Sequence, residues 1–510
     1  MNQNNISATE LFQRVRELLM LPELEPQTRN KMMHDTLILC CHEGVKDTKQ
    51  AFGNLFSQVD YLCKARGIKV ADKIAIQTMR RHSNSQEPLS GEDLKYDARA
   101  LALFISAVFG VDVPHELNVL IPHTPRPYQK GLEINNRRIR CIVKNWDGDF
   151  IRVDIDQDAD EEEYLVQLKD EENHIDHTYL WDILKEGMQL NLLDCQVKQP
   201  IITPRLIVVE PDYLVDISSI ATCFTAFGHH PLLYLLNQMK PRANTQATLL
   251  GNFAGAALDD IINSHGKYQM NETVKTNFRE KALEFCTCPW FDPKKFYTDA
   301  SLQAFNLQQV VDILFPRTAS QAQMTAFRGE SLYDRKKAIL EPSFVCEALG
   351  IQGRVDLMTT DCKLLVEQKS GRNMNIETHQ VDPGFHSYQL EPHYVQLLLY
   401  YGVLQHNFKL SNDRVNIRLL YSKYRPQDGL MVVAYYQKLF KEAIQYRNQL
   451  VAASFEIAKE GFEHTLNEFT PEVLNVAGTQ DFFYNKYLKP QIEAITKPLH
   501  TLSPLEEAYF

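Results

Sequence analysis

The tightest constraint on how this chain can fold lies between Ile351 and Lys369. Two short runs, IQGRVDLM and KLLVEQK, flank the polar stretch Thr359 to Cys362. Apolar, β-forming residues on either side of a polar connection predict two paired strands and a four-residue turn. With that turn, Met358 faces Lys363 and Asp356 faces Leu365. Side chains alternate along a strand, so Asp356 shares a sheet face with residues 365, 367 and 369. Glu367 and Lys369 then project side by side, with Asp356 diagonal to Glu367 at roughly 7 to 8 Å. One magnesium ion fits between such carboxylates, because Mg²⁺ takes hard oxygen ligands, often one or two carboxylates, and completes its shell with water and phosphate oxygens. A bound cation acidifies water and offsets charge on an attacked phosphate. A lysine one side-chain step away can hold or deprotonate that water. E-x-K alone is also a common surface pair, so its surroundings decide its meaning.

Those surroundings divide into three stretches. Residues 1 to about 125 carry apolar positions at helical spacing, such as Leu11, Val15 and Leu18. Ser7-x-x-Glu10 and Asp47-x-x-Gln50 have the form of capping boxes, and Arg80, Arg81 and His82 suit a helix C-terminus. Residues 126–215 change to short β-rich runs (RRIRCIVKNW, DFIRVDID, YLVQL, QLNLLDCQVK) that predict a small, OB-like barrel. Residues 216–510 return to helical patterns, interrupted by strand-like segments near 340–370 and 413–436, as expected of helices around a mixed central sheet. The fold expected is multidomain α+β: a helical domain, a barrel and a C-terminal α/β domain.

Composition removes several function classes. The 510 residues are 44% hydrophobic with 21 Gly and 23 Pro, which excludes collagen-like and largely disordered chains. The net charge of −11 is local. Residues 145–187 hold 15 acids and 3 bases, a net of −12, so the rest of the chain carries about +1 and a nucleic-acid partner is compatible with it. The run Asp154, Asp156, Asp158, Asp160 lacks the Gly and Glu of a calcium loop and reads as a solvated loop. The longest uncharged apolar stretch, 100–111, is too short for a bilayer, so no membrane partner is expected. The N-terminus lacks a basic and then apolar leader, giving a cytoplasmic expectation. No G-x-x-x-x-G-K-[ST] loop is present, so no ATP site is expected. His379, His386 and His393 are spaced by seven, but Pro383 and Pro392 break that spacing, which places all three in a loop beside the cleft.

Gly353-Arg-Val-Asp356 followed by Glu367-Gln-Lys369-Ser-Gly371, with Gln396 and Tyr400 four residues apart in HYVQLLLYYGVL, resembles the PD-(D/E)XK nuclease superfamily in its RecB-like form. Three further segments, RLIVVEPDYLVDISSIATCF, ILEPSFVCEALGIQGRVDL and VNIRLLYSKY, are similar to the nuclease module of the DNA-replication helicase/nuclease family. Together they extend the likeness over about 205–425. The resemblance implies an enzyme hydrolysing phosphodiester bonds in DNA, at single-stranded ends or flaps, with Mg²⁺ or Mn²⁺. It implies Asp356, Glu367 and Gln368 as metal ligands, Lys369 serving the nucleophile, and Gln396, Tyr400, Glu341 and Ser370 contacting substrate. Two departures stand out. The family's metal-binding His has Gly255 at its expected position, with Asp259 one turn later able to lend an oxygen. No cysteine follows Cys362, so the family's iron-sulfur cluster, which needs four thiolates, is not expected. The chain stops at SPLEEAYF soon after the module, which suggests a fragment or a subunit working with a separate helicase. A strand-guiding module without turnover, or a protein-interaction scaffold, are the alternatives.

Overall fold

The computed structural model describes residues 6–509 apart from 85–87, 127–131, 156–162, 226–227, 240–243, 266, 383, 411–413, 462–469, 476–481, 483 and 500. Most of the acidic run 154–160, and Pro383, therefore lie outside the described residues.

Near the N-terminus, α1 (Ala8–Leu19), α2 (Pro26–Val45), α3 (Leu55–Ala65), α4 (Val70–His82) and α5 (Gly91–Phe109) pack around Leu11, Val15, Met33, Leu37, Leu101 and Ile105. The capping box at Ser7 forms: its hydroxyl accepts from Glu10 N, and Ser7 N donates to the Glu10 carboxylate at 2.7 Å. The second expected box does not. Asp47 to Gln50 turns into the strand β1 (Ala51–Phe52), and Asn54 caps α3 instead. This strand leaves the helical core and becomes an edge of the main sheet, so residues 1–125 are joined to the C-terminal part by backbone pairing.

Five strands close into a barrel: β2 (Asn136–Asp147), β3 (Phe150–Ile155), β4 (Tyr164–Gln167), β5 (Gln189–Lys198) and β6 (Ile201–Val209), in the order β2-β3-β4-β6-β5. Only the β4–β6 pair is parallel. Alternation along β2 sends Ile139, Cys141 and Val143 inward.

The main sheet is mixed and six-stranded. It comprises β1, β7 (Ala338–Leu340), β10 (Leu357–Thr359), β11 (Leu364–Lys369), β12 (Asn416–Tyr421) and β13 (Leu430–Val432), in the order β1-β13-β12-β11-β10-β7. A separate hairpin, β8 (Ser343–Cys346) with β9 (Ile351–Arg354), lies just before the β10 strand. One sheet face is covered by α6 (Gln246–Asn263) and α7 (Pro293–Leu314), which meet Leu357, Leu364, Val366 and Leu420. The other is covered by α8 (Glu391–Phe408) and α9 (Gln437–Glu460), which meet Leu365, Leu419 and Tyr421. From α9, Arg447 and Asn448 reach the barrel. Asn448 bonds Val209 N and Ile207 O, and the buried Arg447 guanidinium donates to the carbonyls of Val209, Glu210, Tyr213 and Gly350. Gly350 sits at φ +61° against that guanidinium, where a Cβ would collide with it.

Candidate active site

The run IQGRVDLM is not one strand. Ile351–Arg354 pairs with Ser343–Cys346 in the small sheet, whereas Leu357–Thr359 belongs to the main sheet, and Asp356 occupies the step between them. The crossing is pinned by main-chain bonds, Glu341 N to Asp356 O at 3.0 Å and Val355 N to Pro342 O at 3.3 Å.

The predicted register also needs correction. Leu357 lies opposite Val366 and Met358 opposite Leu365, two residues further along than the four-residue turn requires. Side chains enlarge the turn: Thr359 Oγ1 accepts from Lys363 N at 3.1 Å and Leu364 N at 3.2 Å and donates to Asp361 at 2.8 Å. An even shift leaves every side chain on its expected face. It also brings Asp356 level with the Glu367 segment, where Gln368 N donates to Asp356 Oδ2 at 2.6 Å.

Glu367 is 2% exposed. Its Oε1 accepts from Lys369 Nζ at 2.7 Å, while its buried Oε2 has no partner among the described residues. Burial pushes the Glu367 carboxyl up to about 8, and the nearby Asp356 charge pushes the same way against Lys369. Burial likewise raises Asp356, opposed by the Gln368 N–H. Asp259, on α6, is raised to about 7 by burial and by Glu341, Asp260 and Asp356. Three carboxyls that resist ionisation thus share one neighbourhood, an arrangement a cation would relieve.

The residues fit a hard divalent ion on that count. Among the described residues, no three His, Cys, Asp or Glu side chains gather as a ready-made metal cage, but Mg²⁺ needs only one or two carboxylates besides water. At Gly255 an added Cβ would meet nothing within 4 Å, so this position opens onto space.

Lys369 is clamped, since Nζ also donates to Gln396 Oε1 at 2.7 Å. Gln396 therefore stands beside the Glu367–Lys369 pair. Tyr400 does not reach outward: it is 3% exposed, and its hydroxyl donates to Arg354 O at 2.7 Å, two residues before Asp356. Gly353 makes room, since a Cβ there would stand 2.9 Å from the Tyr400 ring. Tyr400 thus braces the Arg354 backbone two residues before Asp356. Tyr400→Phe should lower stability by about 1 kcal/mol, as thermal melts would show, because the Arg354 carbonyl loses its donor.

The Gln368 side chain points to the opposite face, donating to Ser422 Oγ at 2.7 Å, so only its main chain faces Asp356. Ser370 lies against α6, its Oγ 3.2 Å from where a Gly251 Cβ would be. Glu341, at φ +47°, pairs with Arg354 at 3.1 Å on the rim.

His393 was expected in a loop. Pro392 instead opens α8, where a ring with fixed φ and no N–H suits the first turn, and His393 stands in that turn beside Lys369. Burial and the Lys369 charge hold it neutral, down to about 3, and Tyr421 OH lies 3.1 Å from its Nδ1. Its spacing of three residues from Gln396 was the available signal.

The fold and site together define a mixed α+β protein, with a closed barrel and a mixed sheet, in which the buried Glu367 and the half-buried Asp356 and Lys369 gather at the end of a central strand. No protein-family model and no curated protein matches the chain.

Proposed function

We propose that this protein is a metal-dependent nuclease hydrolysing phosphodiester bonds of DNA, at single-stranded ends or flaps, within a PD-(D/E)XK-type module. The observation that carries the reading is the buried Oε2 of Glu367 beside Asp356, without a hydrogen-bond partner among the described residues, with Lys369 fixed 2.7 Å from the other oxygen of the same carboxylate. Asp356 and Glu367 would hold Mg²⁺ or Mn²⁺, with the Gln368 main chain adjoining and Asp259 on the facing helix. When bound, the ion would supply positive charge at the attacked phosphate and acidify its water. Lys369, aimed by Glu367 and Gln396, would hold the attacking water or exchange a proton with it at Nζ. Gln396 would orient the strand, and Ser370 and Glu341 would border its path. An OB-like role for the barrel and action beside a helicase domain or subunit, in the cytoplasm, belong to the same reading.

A second reading, a strand guide without turnover, is favoured by Gly255, which offers no ligand where the family has one. Incubation of the purified chain with labelled single-stranded DNA and Mg²⁺ or Mn²⁺ separates the two. Cleavage is expected, abolished by chelation and reduced about 10² to 10⁴-fold in Lys369→Ala and at least as much in Asp356→Ala. Cleavage unchanged in both variants would end the nuclease assignment. Salt-sensitive binding without metal-dependent cleavage would select the guide, and no binding at low salt the scaffold.

A further inference from the structure

Trp290 is 98% exposed, at the tip of the turn between the helix Ala282–Cys286 and α7. A tryptophan in ordinary packing buries roughly 150–250 Å², so this indole forgoes nearly all of the hydrophobic gain open to it. Its backbone sits at φ +57°, a left-handed conformation unfavourable for a bulky residue. The turn beneath it is nevertheless firmly tied. Asn244 Nδ2 donates to Thr287 Oγ1 at 2.8 Å, and Asp292 N donates to Gln246 Oε1 at 2.9 Å. The Phe291 ring packs against Phe285, Phe296 and Phe278 with centroids 5.3, 5.6 and 6.2 Å away.

Two exposed lysines, Lys294 and Lys295, follow in the first turn of α7, and neither ammonium makes an ion pair among the described residues. Cations at a helix N-terminus oppose its dipole, so helix stability gives no reason for them. Phe305, 58% exposed, lies about three turns further along the line of Lys294. Aromatic faces interleaved with unpaired cations are the chemistry that takes up single-stranded nucleic acid, the base stacking and the phosphate meeting the amine.

The turn is also connected to the Asp356–Glu367–Lys369 group. Gln246, which holds it, begins α6. The same helix passes Ser370 at Gly251 and reaches Asp259, which feels the Asp356 charge, thirteen residues or about 20 Å further on. We infer that Trp290, Lys294 and Lys295 form a second contact for the nucleic-acid strand outside the catalytic pocket, with an unpaired base stacked on the indole. The inference takes its ligand class from the nuclease reading but does not depend on turnover.

Fluorescence anisotropy of the full chain with labelled oligo-dT, in chelator so that cleavage plays no part, is the test. Trp290→Ala is expected to weaken binding roughly five-fold or more, while Trp290→Phe retains most of the affinity. Lys294→Ala with Lys295→Ala should make the salt slope of log K shallower by about 1.4. Equal affinity of Trp290→Ala and the wild-type chain would overturn the inference and leave the nuclease reading standing, since cleavage is read separately through Asp356→Ala and Lys369→Ala. Failure of the wild-type chain to bind any strand at low salt would overturn both.

Discussion

Glu367→Gln is expected to abolish metal-dependent cleavage while raising the melting temperature of the metal-free protein. The loss should reach about 10²-fold or more, since even groups that only orient a metal ligand cost 10- to 100-fold when removed. The gain in stability comes from the carboxyl's raised affinity for its proton. Burial pushes it up to about 8 from the ordinary glutamate value of 4.5, so between those limits the native state binds more protons than the unfolded chain. Its favourable contribution is present below pH 4.5 and is lost as pH rises through about 8. By pH 9 the wild-type chain bears a destabilisation on the order of 5 kcal/mol from this residue. The amide variant, having nothing to titrate there, escapes it.

Melts in chelator from pH 5 to pH 9 should therefore show a small gap at the acid end, opening in favour of Glu367→Gln by several degrees, at roughly 2 to 4 °C per kcal/mol. Mg²⁺ or Mn²⁺ should restore the wild-type chain and leave the variant unmoved, because ligand binding to the native state adds stability by mass action. A variant that melts below the wild-type chain across the whole range would contradict the crowded-carboxylate account.

Arg447→Ala carries the largest stability penalty expected. The guanidinium is fully buried, burial drawing it down to about 9, and it serves carbonyls from the end of the barrel and from Gly350 before the site hairpin. Truncation strands those acceptors and opens a void at the junction of barrel and sheet. Breaking a buried charged contact typically costs about 3 to 5 kcal/mol, and each orphaned acceptor adds to the cost. Arg447→Lys should recover only part of it, because one ammonium cannot reach all four carbonyls. Thermal melts, with limited proteolysis around residues 210–215, would register the loss. A melting temperature within a degree or two of the wild-type chain would show that this junction is not what ties barrel to sheet.

Several features of the site were readable beforehand because they follow from short-range rules. Period-two alternation placed Glu367 and Lys369 on one face, and Ser7-x-x-Glu10 folded as the capping box it spelled. Features that failed depended on partners far along the chain. Thr359 and Asp361 enlarge the turn through side-chain bonds that no propensity reports. Tyr400 matches its expected spacing yet is turned inward, because Gly353 leaves space for its ring and Arg354 offers a carbonyl. Pro392, read as a break, begins the helix that brings His393 beside Lys369.

By itself the sequence determined the periodicities, and with them the mixed α+β class, the small barrel and the shared face of Glu367 and Lys369. Those depend on backbone geometry repeating every few residues. Tertiary structure alone decided that Asp356 stands at the step between two sheets, that one Glu367 oxygen is buried without a partner among the described residues, and that Ala51–Phe52 completes the sheet's edge. Each of these arises from segments distant in the chain competing for the same burial and the same hydrogen bonds.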